Sequence, residues 1–127
     1  LFRSLRRIFI YSVESEQIEK SVNSIYSMNP DKAKLIFEWN RNKAKKNIVR
    51  HKVSFEEAKT VFNDPFLITF PDEYHSENEE RFTSIGISSH NRVLLVVHTE
   101  HIKAGKVIIR IISCRKATAS ERKIYEE

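Results

Sequence analysis

The chain has 127 residues, 40% hydrophobic and 31% charged, with 22 Lys and Arg against 17 Asp and Glu and a net charge of +5. Such a length and composition exclude a wholly disordered chain or several large domains and fit one globular core, while the positive balance admits a polyanionic partner. A single cysteine, Cys114, excludes an internal disulfide and a cysteine-based zinc site and fits a reducing compartment; no apolar run reaches the roughly 20 residues of a membrane span.

Residues 1–33 read as an extension ahead of a domain spanning 34–127. Leu1–Ser27 begins with Arg3, Arg6 and Arg7 and a short apolar run, Ile8-Phe9-Ile10-Tyr11. That run is too short for a signal peptide, and Glu14, Glu16 and Glu19 follow it. A loosely attached helix or a disordered arm is the plainer reading. Met28 is the only methionine and a candidate start, which would make the preceding residues upstream sequence; without them the chain is still net positive.

Lys34–Trp39 is β-rich and reads as a strand. Asn40 caps a helix over Arg41–His51 whose charges are all of one sign: Arg41, Lys43, Lys45, Lys46 and Arg50. Ala44, Ile48 and His51 share its apolar side, and Lys43, Lys46, Asn47 and Arg50 its polar side. A solvated face usually mixes signs, so this one is a candidate for phosphate contact.

Ser54 and Glu57 form a capping box for a second helix, with Val53 and Ala58 as its hydrophobic staple. Phe55, Ala58, Val61 and Phe62 line one face, and Asp64-Pro65 stops it. The period then changes. Phe66–Phe70 is a short strand, and Pro71–Glu80 an acidic loop containing Asp72, His75, Glu79 and Glu80. Arg81–Ser89 is a strand, His90-Asn91 fits a two-residue hairpin turn, and Arg92–Glu100 is a β-branched central strand. Lys106–Cys114 follows a loop at Gly105, and Thr118 with Glu121 makes a second capping box for a last helix.

The resulting order is β-α-α-β-β-β-β-α, an α+β fold with a twisted, mostly antiparallel sheet and helices packed on one face. Strict alternation sets residues 106, 108, 110, 112 and 114 on one face, so Arg110 projects among Ile108 and Ile112; His98 shares the face of Leu94 and Val96. Both are polar groups on apolar faces. Each is explained either by a tip reaching water or by a functional role: an exposed guanidinium is a phosphate fork, and a buried one needs a partner.

These residues resemble the BrnT toxins, the ribonuclease half of a type II toxin–antitoxin system. The resemblance is carried by Phe37-Glu38-Trp39-Asn40, Lys43, Asn47, His51–Ala58, Phe62–Pro65, Asp72, His75-Ser76, Glu79–Arg81, Ile85-Gly86, Arg92–Leu94, Thr99-Glu100, Arg110–Ser113, Arg115–Ala117, Glu121-Arg122 and Tyr125. It spans nearly all of residues 34–127 and leaves Leu1–Ser27 outside. It implies a RelE-like fold and RNA cleavage in the cytoplasm that stops translation. It also implies a BrnA-type antitoxin with a ribbon-helix-helix part, and operator DNA bound only through that complex. Four positions depart from the family pattern: Asn40 for Asp, Lys52 for Gly, His101 for Arg and Cys114 for Ala. If position 52 needs a left-handed backbone, Lys costs roughly 1 kcal/mol there.

RNA carries its own nucleophile, the 2′-OH, so its cleavage needs no metal or other cofactor. The protein must position the phosphate, move two protons and stabilise negative charge. His51 and His75 are the candidates for acid–base work, with Glu79 an alternative base. Arg81 and Arg110 are candidates for charge stabilisation, and Lys43, Lys46, Arg50 and Arg115 for RNA binding. Each has a structural counterpart: His51 at a helix C-terminus suits the dipole, His75 sits in an acidic loop, and Glu79 can pair with a nearby cation. Asp72, His75 and Glu79 match no standard metal spacing. Two other readings are a non-catalytic RNA- or ribosome-binding module and a domain that serves only as co-repressor.

Overall fold

A computed structural model describes residues 34–72 and 79–127. Their elements are β1 (Leu35–Trp39), α1 (Arg41–His51), α2 (Phe55–Thr60), a 3-10 turn (Val61–Asn63), β2 (Ile68–Pro71), β3 (Arg81–Ile87), β4 (Val93–Lys103), β5 (Lys106–Lys116) and α3 (Ala119–Glu126). The five strands form one sheet in the order β1-β5-β4-β3-β2. β1 runs parallel to β5, and the other pairs are antiparallel. The α+β class expected from the sequence is therefore the one observed. Among the described residues no helix is long and apolar enough to cross a membrane.

The core lies between α1–α2 and one face of the sheet. Val53, Phe55, Ala58, Val61 and Phe62 pack against Leu94, Val96, Val107, Ile109 and Ile111, with Phe37 and Trp39 at the margin. Phe55 is fully buried and edge-on to Trp39. Burying a side chain of that size contributes about 2–3 kcal/mol.

α1 begins as expected, with the Asn40 side chain accepting from the Lys43 amide. Its inner face differs from the expectation. Asn47 is buried, not part of a polar face, because β1 pairs with β5 only as far as Ile111 and leaves the edge beyond it open. The Asn47 amide fills that edge like one residue of a strand. Its Nδ2 donates to Cys114 O at 2.8 Å and Val53 O at 2.9 Å, and its Oδ1 accepts from Cys114 N at 3.1 Å.

α1 ends at Lys52, with φ 61° and its amide donating to Ile48 O. Position 52 does need the left-handed backbone. Lys52→Gly is expected to raise stability by about 0.5–1 kcal/mol, the relief of left-handed strain less glycine's larger entropy loss on folding. The midpoint of a urea titration reads this directly.

Ser54 caps α2 by accepting from the Glu57 amide, but the capping box is incomplete. The buried Glu57 carboxylate turns inward to an ion pair with the partly exposed Arg92, with Ser88 Oγ donating at 2.7 Å. A guanidinium and a hydroxyl together outcompete the cap and offset the cost of burying the carboxylate. The Arg92 hydrogen bond is the largest influence holding Glu57 below the usual carboxylate range. The β3–β4 connection is longer than the two-residue turn expected: Ser88 N donates to Arg92 O, enclosing three residues with Asn91 at φ 58°.

Simple alternation also fails in β5. Val97 pairs with Ser113 and His98 with Ile111, so Ile112 is an extra residue in a bulge. Arg110 and Cys114 consequently lie on opposite faces, with Cys114 in the core. Burial pushes its thiol up to about 12, so it stays protonated.

The helices do not all lie on one face. Arg115 pairs in register with Leu95, on the face opposite Leu94 and Val96, and it holds Glu121 of α3. At the far end of α3, Tyr125 donates to Asp64 at 2.5 Å. The short Ala117–Thr118 connection and these two polar anchors turn the last helix across the second face.

Candidate functional site

The second face carries a polar row set by strand register. Glu38, Arg110, Thr99 and Arg81 are successive partners across β1, β5, β4 and β3, and the Asp72 amide donates to Arg81 O at the end of the row. With strands just under 5 Å apart, the two arginine Cα atoms flank Thr99 at roughly 10 Å from each other. Thr99 is buried between them, and its Oγ1 has no hydrogen-bond partner among the described residues. Arg110 lies 3.7 Å from Glu38, with the two side chains 41% and 48% exposed. At that exposure the pair is screened and exchangeable, worth little to stability.

Beside this row is an open pocket of about 410 Å³, within the size range of small-ligand sites. Phe70, Leu95 and Val97 form its apolar floor; Thr83 and Ser113 add hydroxyls. Asp72 lies on one side, and His51, Arg115 and Glu121 also line it. His51 reaches the pocket because it follows Asn47 by one helical turn, and Asn47 fixes α1 to the β5 edge beside Ser113 and Cys114.

The Arg115 guanidinium and the Glu121 carboxylate form a bidentate pair, Nη1–Oε1 at 2.7 Å and Nη2–Oε2 at 3.0 Å. Each hydrogen-bond partner favours the other's charged form, so Glu121 is held below the usual carboxylate range and Arg115 above its own. Glu121 also completes the capping box of α3, Oε1 accepting from the Thr118 amide at 2.8 Å.

The structure thus brings His51 and Arg115 to one pocket and sets Arg81 and Arg110 in the adjoining row. It does not bring Lys43, Lys46 and Arg50 into the pocket: all three are exposed on α1. Glu79 is exposed where the chain enters β3, and His75 lies outside the described residues.

His98 is excluded from the site. It is fully buried on the core side, edge-on to Phe62 and 2.6 Å from Ser84 Oγ, which is in turn 2.7 Å from Thr69 Oγ1. Burial lowers its pKa to about 3, so it is neutral at pH 7. Its Nδ1 faces Glu100 at 3.7 Å. Burial, with the charge of Glu80 adding to it, pushes the Glu100 carboxyl up to about 7.

Two pocket carboxylates escaped the sequence reading as site residues. In the sequence Asp72 stands out only as a metal ligand of no standard spacing, although it lies in the acidic stretch just ahead of Arg81. Glu121 is legible in the sequence only as a cap; its position six residues after Arg115, across a short turn into a helix, is the signal for its second role. Thr83 and Ser113 carried none.

Comparison with known families matches residues 39–121 to the ribonuclease toxin BrnT of type II toxin–antitoxin systems. No curated protein matches the chain. Among solved structures, the ribonuclease toxin BrnT of Brucella abortus is similar at 19% identity with a TM-score of 0.49, over 68% of this chain and 99% of that one.

Proposed function

Because the chain belongs to the BrnT family of ribonuclease toxins of type II toxin–antitoxin systems, we propose that it is a metal-independent endoribonuclease that stops translation and is neutralised by a BrnA-type antitoxin. The unit responsible is residues 34–127, with a RelE-like sheet, working in the cytoplasm. With its ribbon-helix-helix antitoxin it represses its own promoter, touching operator DNA only through that complex. The observation that carries the catalytic reading is the pocket shared by His51 and Arg115, beside the Arg81–Thr99–Arg110 row.

In the reaction, the 2′-oxygen of one nucleotide bonds to the adjacent phosphorus as the bond from phosphorus to the 5′-oxygen breaks. The 2′-OH loses its proton to a base, and an acid returns one to the departing 5′-oxygen. His51 serves one of these steps, and His75 or Glu79 the other on sequence grounds. Arg81 and Arg110 balance charge on the crowded phosphate, which a guanidinium does with two parallel hydrogen bonds while staying charged. Arg115 holds an RNA phosphate in the pocket, and Lys43, Lys46 and Arg50 contribute longer-range attraction that salt weakens.

Purified protein incubated with RNA in EDTA is expected to yield fragments ending in 2′,3′-cyclic phosphate. Arg81→Ala and Arg110→Ala are each expected to lower the rate at least about 100-fold with unchanged melting. If both variants cleave at the wild-type rate, the catalytic assignment is wrong. Intact RNA that stays bound to the protein favours the non-catalytic binding module, and harmless expression without antitoxin favours a co-repressor.

A further inference from the structure

We infer that Arg115 is a phosphate subsite of the pocket that the chain's own Glu121 fills in the free protein, so that RNA must displace this carboxylate to be gripped. The choice of an RNA phosphodiester as ligand rests on the ribonuclease reading above. The geometry is that of a stand-in. The two carboxylate oxygens of Glu121 meet Nη1 and Nη2 of Arg115 side by side, which is how the two non-bridging oxygens of a phosphodiester meet a guanidinium fork. Both residues line the same pocket, beside the hydroxyls of Thr83 and Ser113 and the imidazole of His51.

The pair is built to exchange. Its side chains are 39% and 22% exposed, so water screens the attraction, and neither charge is stranded in the core when they part. α3 has eight residues, none of them buried, and so short a helix has little stability of its own. Two further anchors of α3, the Thr118 cap and the Tyr125–Asp64 hydrogen bond, do not depend on Arg115. Once Arg115 turns to a phosphate, Glu121 still accepts from the Thr118 amide. Its negative charge beside the incoming phosphate opposes binding until one of the two anions withdraws. Glu121 is therefore an internal competitor that sets how tightly the pocket holds RNA.

Glu121→Gln separates this role from capping, because Gln also serves at the third position of a capping box. The probe is a single-stranded 2′-O-methyl oligoribonucleotide, which lacks the nucleophile and is not cleaved; its dissociation constant is read by fluorescence anisotropy at low salt. Glu121→Gln is expected to tighten binding about tenfold and Arg115→Ala to weaken it about tenfold, the scale of one charge-assisted fork. Adding Glu121→Gln to Arg115→Ala is expected to change nothing further. Glu126→Gln, which removes an equal charge from the exposed end of α3, is expected to leave affinity within about twofold of wild type.

The inference is overturned if Glu121→Gln gives no gain. It is also overturned if the gain persists without Arg115 or is matched by Glu126→Gln, since the effect is then net charge alone. Unmodified RNA assayed alongside keeps the two readings apart. Cleavage by wild type with no gain in Glu121→Gln removes the subsite and leaves the ribonuclease. An Arg115-dependent gain without cleavage in any variant does the reverse. An oligonucleotide that binds no variant overturns the subsite outright.

Discussion

Asn47→Ala is expected to lower stability by roughly 3–5 kcal/mol, a large share of the 5–15 kcal/mol that holds a domain of this size. The Asn47 side chain serves three backbone groups: Val53 O, Cys114 O and Cys114 N. All three residues involved are buried, so water does not take its place. Each stranded group costs about 1–3 kcal/mol, and the cavity left by the amide adds to the total. Asn47→Asp separates the parts: its acceptor still meets Cys114 N, but both carbonyls lose their donor and a charge enters the core. It is expected to be at least as damaging as Ala at pH 7. Urea denaturation of the two variants reads the loss; a change below about 1 kcal/mol in the Ala variant would mean that the edge closes by another route. A second consequence reaches the pocket. His51 is placed by the same attachment of α1 to β5, so any Asn47→Ala protein that stays folded in the cold is expected to lose RNA cleavage as well.

Asn47 also marks where sequence reasoning reached its limit. Local signals were legible because they act over three or four residues. Asn40, Ser54 and Thr118 cap as their types predict, and Lys52 has the left-handed backbone that the sequence raised only as a condition. Long-range partnerships were not legible. Nothing near Asn47 says that β1 stops short and leaves an edge 67 residues away for an amide to fill. Glu57 has the spacing of a capping box, yet its carboxylate serves Arg92, 35 residues on.

The site shows the same division. Arg81 and Arg110 could be nominated as cations on strands, but only the register places them on either side of Thr99. Alternation put Cys114 on the face of Arg110 because a bulge at Ile112 leaves no mark in the residue types around it. That single extra residue returns Cys114 to the core and points Arg115 into the pocket. The last helix lies off the expected face for a related reason: its residues form no apolar stripe to betray its location, and what holds it is a pair of polar contacts.

Glu100→Gln is expected to stabilise the protein at pH 8 by as much as about 3 kcal/mol and to have almost no effect at pH 4. Glu100 ionises at about 7 in the folded chain, against 4.5 for the free side chain. Between those values the folded state holds a proton that the unfolded state has released, so this group removes stability as pH rises from 4.5 through 7. His98 acts in the opposite sense. Its pKa falls to about 3 from 6.5, so in that interval the unfolded state binds the extra proton, and its stabilising contribution, complete above 6.5, is lost as pH falls towards 3. From pH 4.5 to 6.5 the two slopes oppose each other, and wild-type stability from this pair is nearly flat. Glu100→Gln removes one slope and uncovers the other, so the variant is expected to gain stability continuously from pH 3 to 6.5. Gln matches the protonated acid in shape and charge, which is why the curves should meet in acid. Denaturant unfolding of both proteins at pH 4, 5.5 and 8 tests the argument; equal stabilisation by Glu100→Gln at all three would show that repacking, rather than the ionisation of Glu100, is responsible.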